Sequence, residues 1–192
     1  MIALIKYNAG NTESVKNAIN RLGHDVVITD DAETILSAEK VIFPGVGEAS
    51  TAMNYLKEKG LDEVILSVTH PFLGICLGLQ LMCTKTEEGS TDCLGIFKTE
   101  VKLFPPTEIV PHMAWNNFTA VEGKLFNQVR AQDDVYYVHS YYAEICENTI
   151  AICNYIQPFS AALQNGNFYA TQFHPEKSAG IGAQILKNFI EL

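Results

Sequence analysis

Pro71-Phe72-Leu73-Gly74-Ile75-Cys76-Leu77-Gly78 is the stretch that decides the fold. An apolar run long enough for one buried strand ends in Gly-x-Cys-x-Gly, and a new apolar pattern starts at Leu77. Strand, tight turn and helix in that order form a nucleophile elbow, usually seen with serine at the turn. The sharp turn lifts the side chain clear of the sheet, where it can reach a carbonyl, and a following helix start favours a thiolate over a thiol.

Working outward, the residues before the elbow alternate short strands with helical patterns. Ile2–Tyr7 reads as a strand, followed by a Gly-Asn loop and a helix with Val15, Ala18, Ile19 and Leu22 on one face. Asp25–Thr29 is the next strand, and Asp30 with Glu33 has the spacing of a capping box for a short helix holding Ile35 and Leu36. Lys40–Phe43 is a third strand, expected to break at Pro44-Gly45, and 50–56 and 62–68 are helical. This alternation predicts parallel βαβ units. Beyond Gly95 the pattern becomes β-rich, with runs at 97–103, 135–139, 149–155 and 161–163 and a hairpin turn at Asn165-Gly166-Asn167. A final helix aligns Ile181, Ile185 and Phe189, with Leu186 and Ile190 beside them. The expectation is one α/β domain over residues 1–192: a mixed central sheet flanked by helices, with a β-rich second half.

Composition narrows the function. With 192 residues, 47% hydrophobic and 18% charged, the chain can bury a full core. A formal net charge of -9 argues against binding a nucleic-acid backbone. No apolar run approaches the roughly 20 residues that span a bilayer. The start, Met1-Ile2-Ala3-Leu4-Ile5-Lys6, lacks the features of a signal peptide, so a cytosolic protein with neither nucleic-acid nor membrane partners is expected. Five cysteines, none in a CxxC pair, read as free thiols rather than a disulfide or zinc framework. Cys83, two helical turns beyond Cys76, reads as a packing residue.

Chemistry comes from joining the elbow to Gln172-Phe173-His174-Pro175-Glu176-Lys177. A free thiol has a pKa of about 8.5 and needs a base near neutrality. His174 is that candidate base, and Glu176 would orient its ring and stabilise the imidazolium. If the segment is extended, residues i and i+2 share a side. The Leu77 N–H is the expected first oxyanion donor, and Pro44-Gly45-Val46-Gly47 after the third strand could supply the second, from Val46 or Gly47. A glycine-bearing loop could also switch the hole on and off by flipping. Each piece alone is ordinary: a core cysteine, a surface His-Pro turn, a loop between elements. Their joint occurrence in order is what argues for a Cys-His-Glu acyl-transfer enzyme.

The elbow Gly74-Ile75-Cys76-Leu77-Gly78-Leu79-Gln80 and the segment Ala170–Ser178 resemble the class I glutamine amidotransferases, which hydrolyse glutamine with such a triad. Further segments are similar to one branch, the glutaminase subunits of imidazole glycerol phosphate synthases. These are Tyr7–Asn11 with Ser14-Val15, Pro44–Gly47, Pro111-His112-Met113-Ala114-Trp115-Asn116 and Tyr136–Tyr141, so the likeness covers essentially the whole chain. Many class I members have Gly-Gly where this chain has Val46-Gly47, and the branch usually has glycine where it has Ala114.

The resemblance implies glutamine bound beside Cys76, contacted by Gln80 and Glu88 and by the Gly47 and Ser140 backbones. It implies a γ-glutamyl thioester, no metal and no organic cofactor. It also implies a heterodimer in which ammonia passes to a (β/α)8-barrel cyclase, which makes imidazole glycerol phosphate and an aminoimidazole carboxamide ribonucleotide in histidine biosynthesis. Trp115, Asn116, Tyr137 and Lys177 would lie toward that partner and the ammonia route. A stand-alone glutaminase, another amidotransferase, a non-catalytic regulatory subunit and a cysteine peptidase remain open on the residues alone.

Overall fold

The computed structural model describes all of residues 1–192. Its strands in chain order are β1 (Ile2–Ile5), β2 (Val26–Thr29), β3 (Lys40–Gly45), β4 (Phe72–Cys76), β5 (Lys85–Thr86), β6 (Thr91–Asp92), β7 (Glu100–Leu103), β8 (His112–Asn116), β9 (Ala120–Val121), β10 (Val135–His139), β11 (Tyr141–Ala143), β12 (Thr149–Tyr155), β13 (Gln157–Asn165) and β14 (Phe168–Thr171). The helices are α1 (Thr12–Arg21), α2 (Ala32–Ser37), α3 (Ala49–Lys59), α4 (Leu61–Leu66), α5 (Leu77–Met82) and α6 (Ala179–Ile190).

The central sheet has eight strands in the order β2-β1-β3-β4-β14-β13-β12-β9. It is parallel from β2 to β14 and antiparallel beyond. Side-chain alternation splits it between two cores. Ile2, Leu4, Ile42, Leu73 and Ile75 face the core covered by α1 and α6. Ala3, Ile5, Val41, Phe43 and Phe72 face the core covered by α2–α5. Burial of Ile185, Leu186 and Phe189 at 0–1% exposure docks α6, each side chain contributing roughly 1.5–3 kcal/mol. The antiparallel pair β8–β10 and a small sheet β11-β7-β5-β6 border the carboxyl ends of the parallel strands.

The mixed sheet flanked by helices follows the sequence expectation, and β10 and β12 have the expected bounds. Asn165 pairs with Phe168 around Gly166-Asn167, as the hairpin reading requires. Three local expectations are corrected. β3 does not break at Pro44 but runs to Gly45, pairing Pro44 with Ile75 and Gly45 with Cys76. Its ladder with β1 ends at Ile42, so a residue lacking an N–H sits on an edge that is already unpaired. The cap of α2 is Asp31, not Asp30: its carboxylate accepts from the Thr34 backbone N–H at 2.8 Å and the Thr34 hydroxyl at 2.7 Å. Finally, α5 stops at Met82, leaving Cys83 as its C-terminal cap, fully buried, with its thiol directed at the Leu79 carbonyl.

Candidate active site

Cys76 closes β4 and opens α5 with φ 54° and ψ −108°, a strained backbone for a residue with a side chain. The turn is this tight because α5 lies directly on the sheet. A Cβ at Gly78 would stand 2.2 Å from the Phe43 carbonyl oxygen, and one at Gly74 would stand 2.5 Å from the Met82 sulfur. Both elbow glycines therefore answer to contact, while the strained torsion is carried by Cys76 itself. Leu77, the first residue of α5, carries one of the N–H groups that a helix start leaves unbonded.

His174 is 1% exposed, and its Nδ1 lies 2.8 Å from Glu176 Oε1, with both side chains 2% exposed. The two meet, but not along an extended segment. His174 itself is extended, and Pro175–Lys177 then form a 3-10 turn that brings Glu176 back to the ring. Proline suits the first position of such a turn because no N–H is needed there. With Glu176 accepting from Nδ1–H, Nε2 is left facing the pocket without a partner. Burial by itself would lower the His174 pKa. The Cys76 sulfur and the Glu176 carboxylate outweigh it and favour the imidazolium.

Cys76 and His174 share a pocket of about 270 Å³ at the carboxyl ends of the parallel strands, where open α/β sheets bind ligands. Val46, Gly47, Leu77, Gln80, Glu88 and Ser140 also line it. Gly47 has φ +121°, a conformation that favours glycine. Glu88 Oε2 accepts from the Ala49 N–H at 2.9 Å, and burial raises the carboxyl pKa. Glu48 caps α3 by accepting from the Ser50 and Thr51 N–H groups, and its bonds to Thr51 and Ser50 lower its pKa to about 2.

Of the residues expected toward a partner, Trp115 is 51% exposed beside Met113 at 62%, and Lys177 is exposed. Asn116 is half-buried and donates to the Asn154 carbonyl at 3.3 Å. Tyr137 is a correction: it is fully buried, stacked on His112 at 4.9 Å, and cannot meet a partner at the surface. In β10 it points inward with Val135 and His139, while Tyr136 lies against Trp115.

Several groups around the pocket have no counterpart in the sequence reading of the chemistry. The Tyr7 hydroxyl donates to the Pro44 carbonyl at 2.7 Å, anchoring the start of the Pro44–Gly47 loop. His112 and His139, directly paired across β8–β10, sit with ring nitrogens 3.1 Å apart. His139 Nδ1 must donate to the Tyr141 carbonyl at 2.7 Å, so its Nε2 accepts from His112 Nδ1–H, and both rings stay neutral. Gln172, fully buried, lies between Gln80 and Cys76. Its legible signal is the polar pair Thr171-Gln172 closing a strand-like run that ends at Phe173. No group of three or more His, Cys, Asp and Glu side chains is arranged to hold a metal ion, and no helix is long and apolar enough to cross a membrane.

Comparison with known proteins gives the family. The profile described as glutamine amidotransferase class-I matches residues 3–192. An imidazole glycerol phosphate synthase subunit HisH of Bacteroides fragilis is 56% identical over 194 residues, covering 100% of this chain and 99% of that one. A HisH of Vibrio parahaemolyticus is 43% identical over 199 residues, with 100% and 98% covered. Among solved structures, a glutamine amidotransferase superposes with a TM-score of 0.77 over 99% of this chain and 97% of its own, at 18% identity, a likeness of fold.

Proposed function

Because the chain belongs to the class I glutamine amidotransferases, and within them to the HisH subunits of imidazole glycerol phosphate synthase in histidine biosynthesis, we propose that residues 1–192 act as one glutaminase domain built on Cys76, His174 and Glu176. The Cys76 thiolate attacks the side-chain carbonyl of glutamine. The oxyanion receives hydrogen bonds from the Leu77 N–H and from the Val46–Gly47 turn. His174, having taken the thiol proton at Nε2, gives it to the departing amine, and ammonia leaves a γ-glutamyl thioester. Water, activated by the neutral ring, then releases glutamate and restores the thiol. Glu176 holds the Nδ1–H tautomer through both steps.

Glutamine fits the remaining groups. Its ammonium needs acceptors, which the second Glu88 oxygen and the Gln80 carbonyl oxygen supply; the Gly47 and Ser140 backbones hold the rest of its amino-acid moiety. The ammonia passes to a (β/α)8-barrel cyclase in a cytoplasmic heterodimer, docked against the exposed Trp115–Met113 face, with Asn116 and Lys177 nearby. Tyr137 acts from beneath that face, along the ammonia route.

The observation that carries this reading is the meeting, in one small pocket, of a strained elbow cysteine and a histidine held 2.8 Å from a buried carboxylate. Substitution of the nucleophile tests it. Cys76→Ser, assayed with the cyclase, is expected to lose glutamine-dependent synthesis by about 10⁴-fold or more while keeping synthesis from free ammonia. Retained glutamine hydrolysis would sink the nucleophile assignment, and loss of both activities would sink the division of labour.

A further inference from the structure

The Cys76 sulfur has two hydrogen-bond neighbours with opposite demands. The Val138 carbonyl, 3.8 Å away, can only accept, so it is satisfied by a thiol and repelled by a thiolate. The Gln172 side-chain amide, 3.7 Å away, presents its nitrogen, and an N–H donor is strengthened when its acceptor becomes charged.

The orientation of that amide is not free. Gln80 Nε2 lies 3.0 Å from the Tyr141 carbonyl, which only accepts, so the nitrogen of Gln80 must be the atom on that side. The same nitrogen lies 3.2 Å from the Gln172 side chain, which must therefore turn its oxygen to Gln80. Gln172 is 0% exposed and its backbone N–H is committed to the Ala161 carbonyl, so no solvent arrangement competes. Its N–H₂ is then aimed at the sulfur. A hydrogen-bonded chain links the Tyr141 carbonyl, Gln80, Gln172 and Cys76, and the Tyr141 carbonyl, which can only accept, sets the orientation of both amides.

We infer that Gln172 is a thiolate-stabilising residue of this site, oriented by Gln80 and the Tyr141 carbonyl, and that it sets the balance between thiol and thiolate against the Val138 carbonyl. The inference rests on the reading of Cys76 as nucleophile and extends it. When the proton moves from sulfur to His174, the contact with Val138 turns unfavourable and the contact with Gln172 gains. Gln172 therefore acts on the protonation step, separately from the oxyanion donors.

The test is the pH dependence of Cys76 alkylation by iodoacetamide on the full-length chain, followed at the Cys76 peptide by mass spectrometry. Gln172→Met and Gln172→Leu each remove the donor at similar volume. Both are expected to move the alkylation midpoint upward by about one pH unit, a tenfold loss of thiolate at fixed pH below the midpoint. The plateau rate at high pH should be unchanged, and the acid limb of glutaminase kcat/KM should shift by the same amount. An unmoved midpoint in either variant with a native melting temperature overturns the inference, even if turnover falls, because that would be a packing role. Failure of the nucleophile reading looks different: Cys76→Ser would keep its glutaminase activity whatever the alkylation profile of the Gln172 variants.

Discussion

The turn after β4 and the turn after β3 lie side by side, Gly45 paired with Cys76, but only the first is held on every side. At the elbow every residue of α5 is buried, and the glycines at 74 and 78 have backbone or sulfur within 2.5 Å of where a side chain would begin. At the loop, Pro44 is pinned by Tyr7, yet Val46 is 37% exposed, and a Cβ at Gly47 would meet only Ala9, at 3.5 Å. The proposed nucleophile is thus fixed by packing, whereas the proposed second oxyanion donor sits in a turn that little else constrains. Such donors must stand about 2.7–3.1 Å from the oxyanion to act. A partner that controls this enzyme has an adjustable part available in the loop and none in the elbow.

The contrast can be broken most forcefully at Gly78. Gly78→Ala drives a methyl group into the Phe43 carbonyl, 2.2 Å away, and should cost about 1–3 kcal/mol or more of stability. Turnover should fall more than a thousandfold, on the order of losing the triad's geometry. Melting and glutaminase assays on the same sample check both; a native melting temperature with full activity would mean that α5 is free to move. Gly47→Ala sharpens the other side. No clash opposes the methyl, but φ +121° does, so the turn should rearrange at a cost of about 1–3 kcal/mol. Glutamine turnover should drop by roughly 100-fold, the value of one oxyanion donor, with Cys76 alkylation unaltered. Equal loss of alkylation would make the two turns one mechanical unit.

The smallest effect concerns acid. Burial lowers the pKa of His139 to about 3 and of His112 to about 4, so the folded state resists protons that the unfolded chain takes up near pH 6.5. Their contribution is intact above that value and is lost as pH falls toward 4. His139 contributes a slope of up to about 1.4 kcal/mol per pH unit, and His112 less. Urea unfolding between pH 7 and 4.5 measures it, and His139→Gln should flatten the curve. Since His139 precedes Ser140 of the pocket, acid should loosen the substrate side before the elbow.

What was legible in the chain follows the range of the interactions. The elbow, the hairpin at Gly166 and the strands β10 and β12 are written in neighbouring residues, and so is the His174–Glu176 pair, although its 3-10 turn is not. β8 defeats pattern reading because its exposure is inverted: Met113, Ala114 and Trp115 face outward while His112 is buried. Strands of two residues, such as β5, β6 and β9, carry no period to read. Tyr7 on Pro44, Gln80 on Gln172 and His112 on His139 are contacts across 37, 92 and 27 residues, set by topology rather than local spacing.

Glutamine turnover of the purified chain, alone and then with the barrel cyclase and its nucleotide substrate, tests most directly whether a fixed nucleophile waits on an adjustable hole. The account predicts near-silence alone and strong activation in the complex, carried by kcat, with Cys76 equally reactive toward iodoacetamide in both states. High turnover of the isolated chain, unaltered by the cyclase, would contradict it and mark an independent glutaminase.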